Sequence, residues 1–80
     1  MSEHATTPLH QALYEMLDQY FSSLEGAKPN RVHAMVMAAV ERPLLEYVMQ
    51  RCKGNQSVAS SLLGINRNTL RKRLREYGLL

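Results

Sequence analysis

The chain has 80 residues, ten lysines and arginines against seven acids, a formal net charge of +3 and a single cysteine. That length holds one domain with limited burial, and the lone Cys52 excludes an internal disulfide. No apolar run approaches the roughly 18–20 residues of a membrane span, and Cys52 with the scattered His4, His10 and His33 does not supply the close-spaced ligands of a structural zinc site.

Met1–Thr7 is polar and has no signal-peptide core. A first helix is predicted to start at Thr7-Pro8, with Thr as N-cap and Pro in the first turn. Leu9, Ala12, Leu13, Met16, Leu17, Tyr20, Phe21 and Leu24 then recur at i, i+3, i+4, i+7, which is one apolar stripe. Gly26 suits the C′ position of this helix, and Pro29 bars continuation.

Asn30 is read as the cap of a second helix running to about Cys52. No polar residue interrupts Ala34–Val40, so this helix needs cover on more than one side. A chain with one other long helix obtains part of that cover from a second subunit, and small domains commonly need such a partner. Pro43 interrupts the backbone bonding and predicts a bend. The apolar period resumes in phase at Leu44 and Val48, which favours one bent helix over two.

Gly54 is read as the end of the second helix, and Asn55 as the cap of a third over Gln56–Leu63, with Val58, Ala59, Leu62 and Leu63 as its apolar face. Gly64 stops it. Asn66 caps a fourth helix, Arg67–Tyr77, in which Leu70, Leu74 and Tyr77 fall at i, i+4, i+7. Gly78 ends that helix. The fold is therefore expected to be all-α. It comprises four helices in one domain, with about 7–53 for dimerisation and about 54–80 as a helix-turn-helix.

Charge is divided along the chain. Residues 1–50 have a net charge of −3, and residues 51–80 a net charge of +6. A basic end on an acidic body points to a polyanionic partner. The two short helices say which. A small residue, Ser60, precedes Gly64 by four, and an apolar residue, Leu70, follows it by six. Those are the needs of two helices that cross closely and seat the second, as in a helix-turn-helix whose second helix enters the DNA major groove.

The early residues of that second helix reach base edges, here Asn66, Arg67, Asn68 and Thr69. Arg pairs with guanine, Asn with adenine, and a Thr methyl meets the thymine methyl. Arg71, Lys72, Arg73 and Arg75 suit phosphates, which position without reading sequence. Asn55 and Ser57 open the preceding helix, whose free N–H groups also suit phosphate.

The stretches "GNQ", "GINRNTLRKRL" and "YGL", with "ERPLLEYVMQ" upstream, resemble the Fis (factor for inversion stimulation) family of bacterial nucleoid proteins. The resemblance runs from about Pro8 to the C-terminus. It implies an intertwined homodimer built on the first two helices, with Leu13, Leu17, Val36, Val40, Pro43, Leu44 and Val48 in its core. It implies recognition helices set closer than one DNA pitch, so that bound DNA bends. It places base contacts chiefly on Asn66 and Arg67. Backbone contacts fall at Lys53, Asn55, Ser57, Thr69, Arg71, Lys72, Arg73 and Arg75. The corner Lys53, Gly54, Asn55, Gln56 matches a surface that touches RNA polymerase.

The implied function is a dimeric, sequence-tolerant, DNA-bending protein of transcription and the nucleoid, in the cytoplasm. The alternative is the DNA-binding end of an NtrC-type enhancer-dependent activator, whose C-terminal stretch is also similar. Three departures stand out. The long N-terminal arm through which fuller members activate DNA invertases is reduced to about seven residues. Asn68 replaces a small glycine, and Glu76 stands where a lysine is common. No paired carboxylates or nucleophile–base spacing occur, so the chain is read as a non-enzyme without cofactor or metal.

Overall fold

The computed structural model describes residues 6–80. Four helices follow one another: α1 (Pro8–Ser22), α2 (Val32–Arg51), α3 (Gln56–Leu63) and α4 (Arg67–Glu76). Among the described residues there is no strand, and no helix is long and apolar enough to cross a membrane. The chain divides into two compact units, one ending at Val32 and the other spanning His33–Leu80.

In the first unit, the Thr7 hydroxyl accepts the His10 N–H at 3.1 Å and Pro8 opens the helix, as the sequence predicts. The C-terminus differs from expectation. α1 ends at Ser22, and the Ser23 N–H closes onto the carbonyls of Gln19 and Tyr20. Gly26 therefore lies beyond the helix, in a turn where Glu25 and Gly26 both take positive φ. Asn30 does not cap α2 either. Its backbone N–H donates to the Tyr20 hydroxyl at 3.2 Å, and its carbonyl accepts from that hydroxyl at 3.4 Å. Arg31, at φ +56°, stands between Asn30 and the first residue of α2. A tyrosine ten residues upstream has claimed the asparagine backbone, a pairing that no local rule contains.

In the second unit, α2 runs without interruption through Pro43, as one helix. Its end is a double closure: the Lys53 N–H donates to the Gln50 carbonyl at 3.1 Å, and the Gly54 N–H to the Met49 carbonyl at 3.0 Å. This is the Schellman arrangement, which satisfies carbonyls that a helix end leaves open. The residue in the first left-handed position is Lys53 (φ +52°), with Gly54 (φ +81°) after it. A lysine there carries the steric penalty of its Cβ. Lys53→Gly is expected to raise stability by about 0.5–1 kcal/mol, the relief being partly offset by the unfolded-state entropy of glycine. A shift of the urea midpoint measures it.

The core of this unit is small. Leu45 from α2, Ala59 from α3, and Leu70 and Leu74 from α4 are buried, with Leu63, Ile65 and Leu79 packed against them. α4 ends at Glu76, with Tyr77 as its cap. The Gly78 and Leu79 N–H groups return to the carbonyls of Arg75 and Leu74 at 3.1 and 2.8 Å. The expected face of α3 is corrected by half. Ala59 and Leu63 turn inward, whereas Val58 and Leu62 are exposed. α3 has eight residues, and its 3.6-residue turn cannot aim four apolar positions at one small core.

Candidate nucleic-acid interface

The interface is built on α3, the turn at Gly64, and α4. The Asn55 side chain accepts the Val58 N–H at 3.1 Å and fixes the start of α3. Its end is fixed by Gly64, at φ +73°, a left-handed conformation that glycine adopts without penalty. The Ile65 N–H reaches back to the Ser60 carbonyl at 3.1 Å, which closes the turn. Ser60 fills the crossing point and is itself buried; its hydroxyl donates to the Ser57 carbonyl at 2.9 Å. That bond explains how a serine occupies a tight apolar position without leaving an unpaired hydroxyl.

α4 begins at Asn66, whose Oδ1 accepts the Asn68 N–H at 2.7 Å. The bond starts the helix and occupies one of the two lone pairs of the Asn66 Oδ1. Leu70 and Leu74 anchor the opposite face in the core, which turns the rest of the helix outward. Arg67, Asn68, Thr69, Arg71, Lys72, Arg73 and Arg75 are all exposed. This is a row of cations and hydrogen-bonding side chains, with Glu76 the one acid on the helix.

Lys53, Gly54, Asn55 and Ser57 form the exposed rim leading into α3. Gln56 departs from it: the residue is half-buried, and its side-chain oxygen is enclosed without a hydrogen-bond partner. Gln56 is thus less available to a partner than its three neighbours at that corner. Among the basic side chains of α4, Arg73 is also different. It lies 3.8 Å from Glu41 of α2 and 3.5 Å from Glu76.

Sequence reasoning missed Glu41 and Arg42. The Tyr77 hydroxyl donates to Glu41 Oε1 at 2.7 Å, and Arg42 Nη1 donates to the Tyr77 carbonyl at 2.7 Å. Each of these bonds spans some 35 residues, so no spacing rule could reveal it. The bond to the Glu41 carboxylate raises the Tyr77 phenol above its ordinary value, with burial and the charge of Glu41 adding to it.

Residues 36–77 match the family described as "Bacterial regulatory protein, Fis family". This chain belongs to the Fis family. It is similar to a protein of Ralstonia nicotianae named as a Fis-like DNA-binding protein, with 51% identity over 73 residues, 91% of this chain and 95% of the relative. A Neisseria meningitidis serogroup A protein of the same description is 51% identical over 77 residues, 96% of this chain and 98% of the relative. The DNA-binding protein Fis of Pasteurella multocida is 44% identical over 78 residues, 98% of this chain and 79% of the relative. The family match takes in α3, α4 and most of α2, so it covers both the buried leucines and the exposed basic row.

Proposed function

We propose that this chain is a dimeric, sequence-tolerant DNA-binding and DNA-bending protein that acts in transcription regulation and nucleoid organisation. The observation that carries the reading is the α3–Gly64–α4 unit, in which buried leucines turn a continuous basic row outward at a helix start. Asn66, Arg67, Asn68 and Thr69 are the base-reading residues. Lys53, Asn55, Ser57, Arg71, Lys72 and Arg75 hold the backbone. The exposed corner at Lys53, Gly54 and Asn55, with Gln56 behind it, is the surface for RNA polymerase. Chemistry on a substrate forms no part of the reading, and a nucleoid location in the cytoplasm follows from a chromosomal DNA partner.

The dimer is supported by what one chain leaves uncovered. Met37, Val40, Leu44 and Tyr47 are exposed on α2 at a spacing of three, four and three, the stripe that a partner helix covers. None of the proposed dimer-core residues Leu13, Leu17, Val36, Val40, Pro43, Leu44 and Val48 is buried within one chain. Two subunits that place their recognition helices closer than one DNA pitch, as the family implies, require the DNA to bend. The near full-length match to short relatives favours this protein class over the DNA-binding end of an enhancer-dependent activator.

The salt dependence of binding tests the division of labour. Lys72→Ala is expected to weaken binding to every duplex alike. It should reduce the slope of log K against log salt by about 0.9 for each phosphate no longer neutralised, hence roughly twice that for a symmetric dimer. A loss confined to one sequence would reassign Lys72 to base reading.

A further inference from the structure

Two consecutive residues of α2 hold the residue that ends the recognition helix. Glu41 takes the Tyr77 hydroxyl at 2.7 Å, and Arg42 takes the Tyr77 carbonyl at 2.7 Å. The carbonyl is one that the helix end leaves open, and a cation there also meets the negative end of the helix dipole. Arg42 is steadied in turn by Glu46, 3.3 Å away. The second oxygen of Glu41 faces Arg73 at 3.8 Å, and Arg73 meets Glu76 at 3.5 Å on its other side.

The helical period explains why Arg73 is the one so engaged. It lies three residues after Leu70 and four before Tyr77, so it shares the core-side edge of α4 with them. Asn68, Lys72 and Arg75 lie on the opposite arc. Arg73 lines a groove together with Met37, Val40, Glu41 and Leu44 of α2.

We propose that Glu41 is a positioning residue: through Tyr77 it fixes the far end of α4 on α2, and through Arg73 it withholds one cation from DNA phosphates. The proposal rests on the DNA-binding reading above for its second half only. The clamp itself concerns this chain alone. Arg73 then serves the fold, and the backbone contact falls to the cations on the outer arc. The Tyr77 phenol, raised first by its bond to Glu41 and then by burial and the Glu41 charge, is a local reporter of the clamp.

Two measurements on the full chain decide it. The first needs no DNA. An ultraviolet titration of tyrosine ionisation, differenced against Tyr77→Phe, is expected to place the Tyr77 phenol above the ordinary tyrosine value. Glu41→Gln keeps an acceptor oxygen but removes the charge, and should bring the phenol down. An identical titration in both proteins would overturn the clamp.

The second is the salt dependence of binding to a duplex of mixed sequence. Arg73→Ala is expected to leave the slope unchanged, while Lys72→Ala lowers it by roughly two units per dimer. Glu41→Gln is expected to tighten binding several-fold, and Arg73→Ala in the same chain is expected to abolish that gain. An Arg73→Ala slope that falls as far as that of Lys72→Ala would overturn the withholding of Arg73. So would a gain that persists without Arg73. If the parent chain bound no duplex at all, the DNA reading would fail and the withholding with it, while the titration would still decide the clamp.

Discussion

Leu74→Ala is expected to lower stability by about 2–5 kcal/mol, the range for deleting a leucine from a packed core. Leu74 is wholly buried and meets a core of which Leu45, Ala59 and Leu70 are the other buried apolar members. With so few members, neighbours cannot collapse into the space without moving a helix. A domain of this size has roughly 4–12 kcal/mol of stability at 0.05–0.15 per residue, so one substitution removes a large share of it. The control is Leu62→Ala. Leu62 is 62% exposed on α3, and its loss is expected to change stability by less than about 0.5 kcal/mol. Urea denaturation of both variants checks the pair. Equal effects would mean that α3 is rotated from this orientation.

The second large effect concerns DNA. Arg67→Ala is expected to cost about 1–3 kcal/mol on a preferred duplex and to flatten the preference between duplexes. Arg67 opens α4, is exposed, and has no salt bridge among those found in the described residues. Its guanidinium is free to make the paired contact to guanine that an arginine at a recognition-helix start favours. Competition binding against a panel of duplexes measures both quantities. A uniform loss across the panel would place Arg67 on the backbone and leave base reading to Asn66, Asn68 and Thr69.

The helix-turn-helix was legible because its determinants are local. Asn55, Gly64 and Asn66 each act within a few residues, and the bounds of α3 agree with their positions. The start of α1 at Thr7-Pro8 was legible for the same reason. Between α1 and α2 the local rule failed. Asn30 has the chemistry of a cap, but Arg31 at positive φ stands between it and the first residue of α2, and Tyr20 binds its backbone. Gly26 has the conformation of a helix end, but α1 stops earlier and the glycine serves the turn that follows.

The candidate site shows the same division. The sequence places the basic residues on one helix, and burial of Leu70 and Leu74 turns that helix to present them. It does not separate Arg73 from Lys72, because the acid that distinguishes them lies on α2, 32 positions earlier in the chain. Nor does it show that one lone pair of the Asn66 oxygen is occupied. An asparagine proposed to read a base can also cap its own helix, and the hydrogen bond of 2.7 Å shows that Asn66 does.

In the function proposed above, two copies of this chain bend one DNA site. A gel-shift series on circularly permuted fragments, with the mass of the free protein measured in parallel, tests it most directly. The predicted result is a mobility that depends on the position of the site, at two chains per site, from a protein that is already dimeric. A mobility independent of position, or a single chain on the DNA, would contradict it.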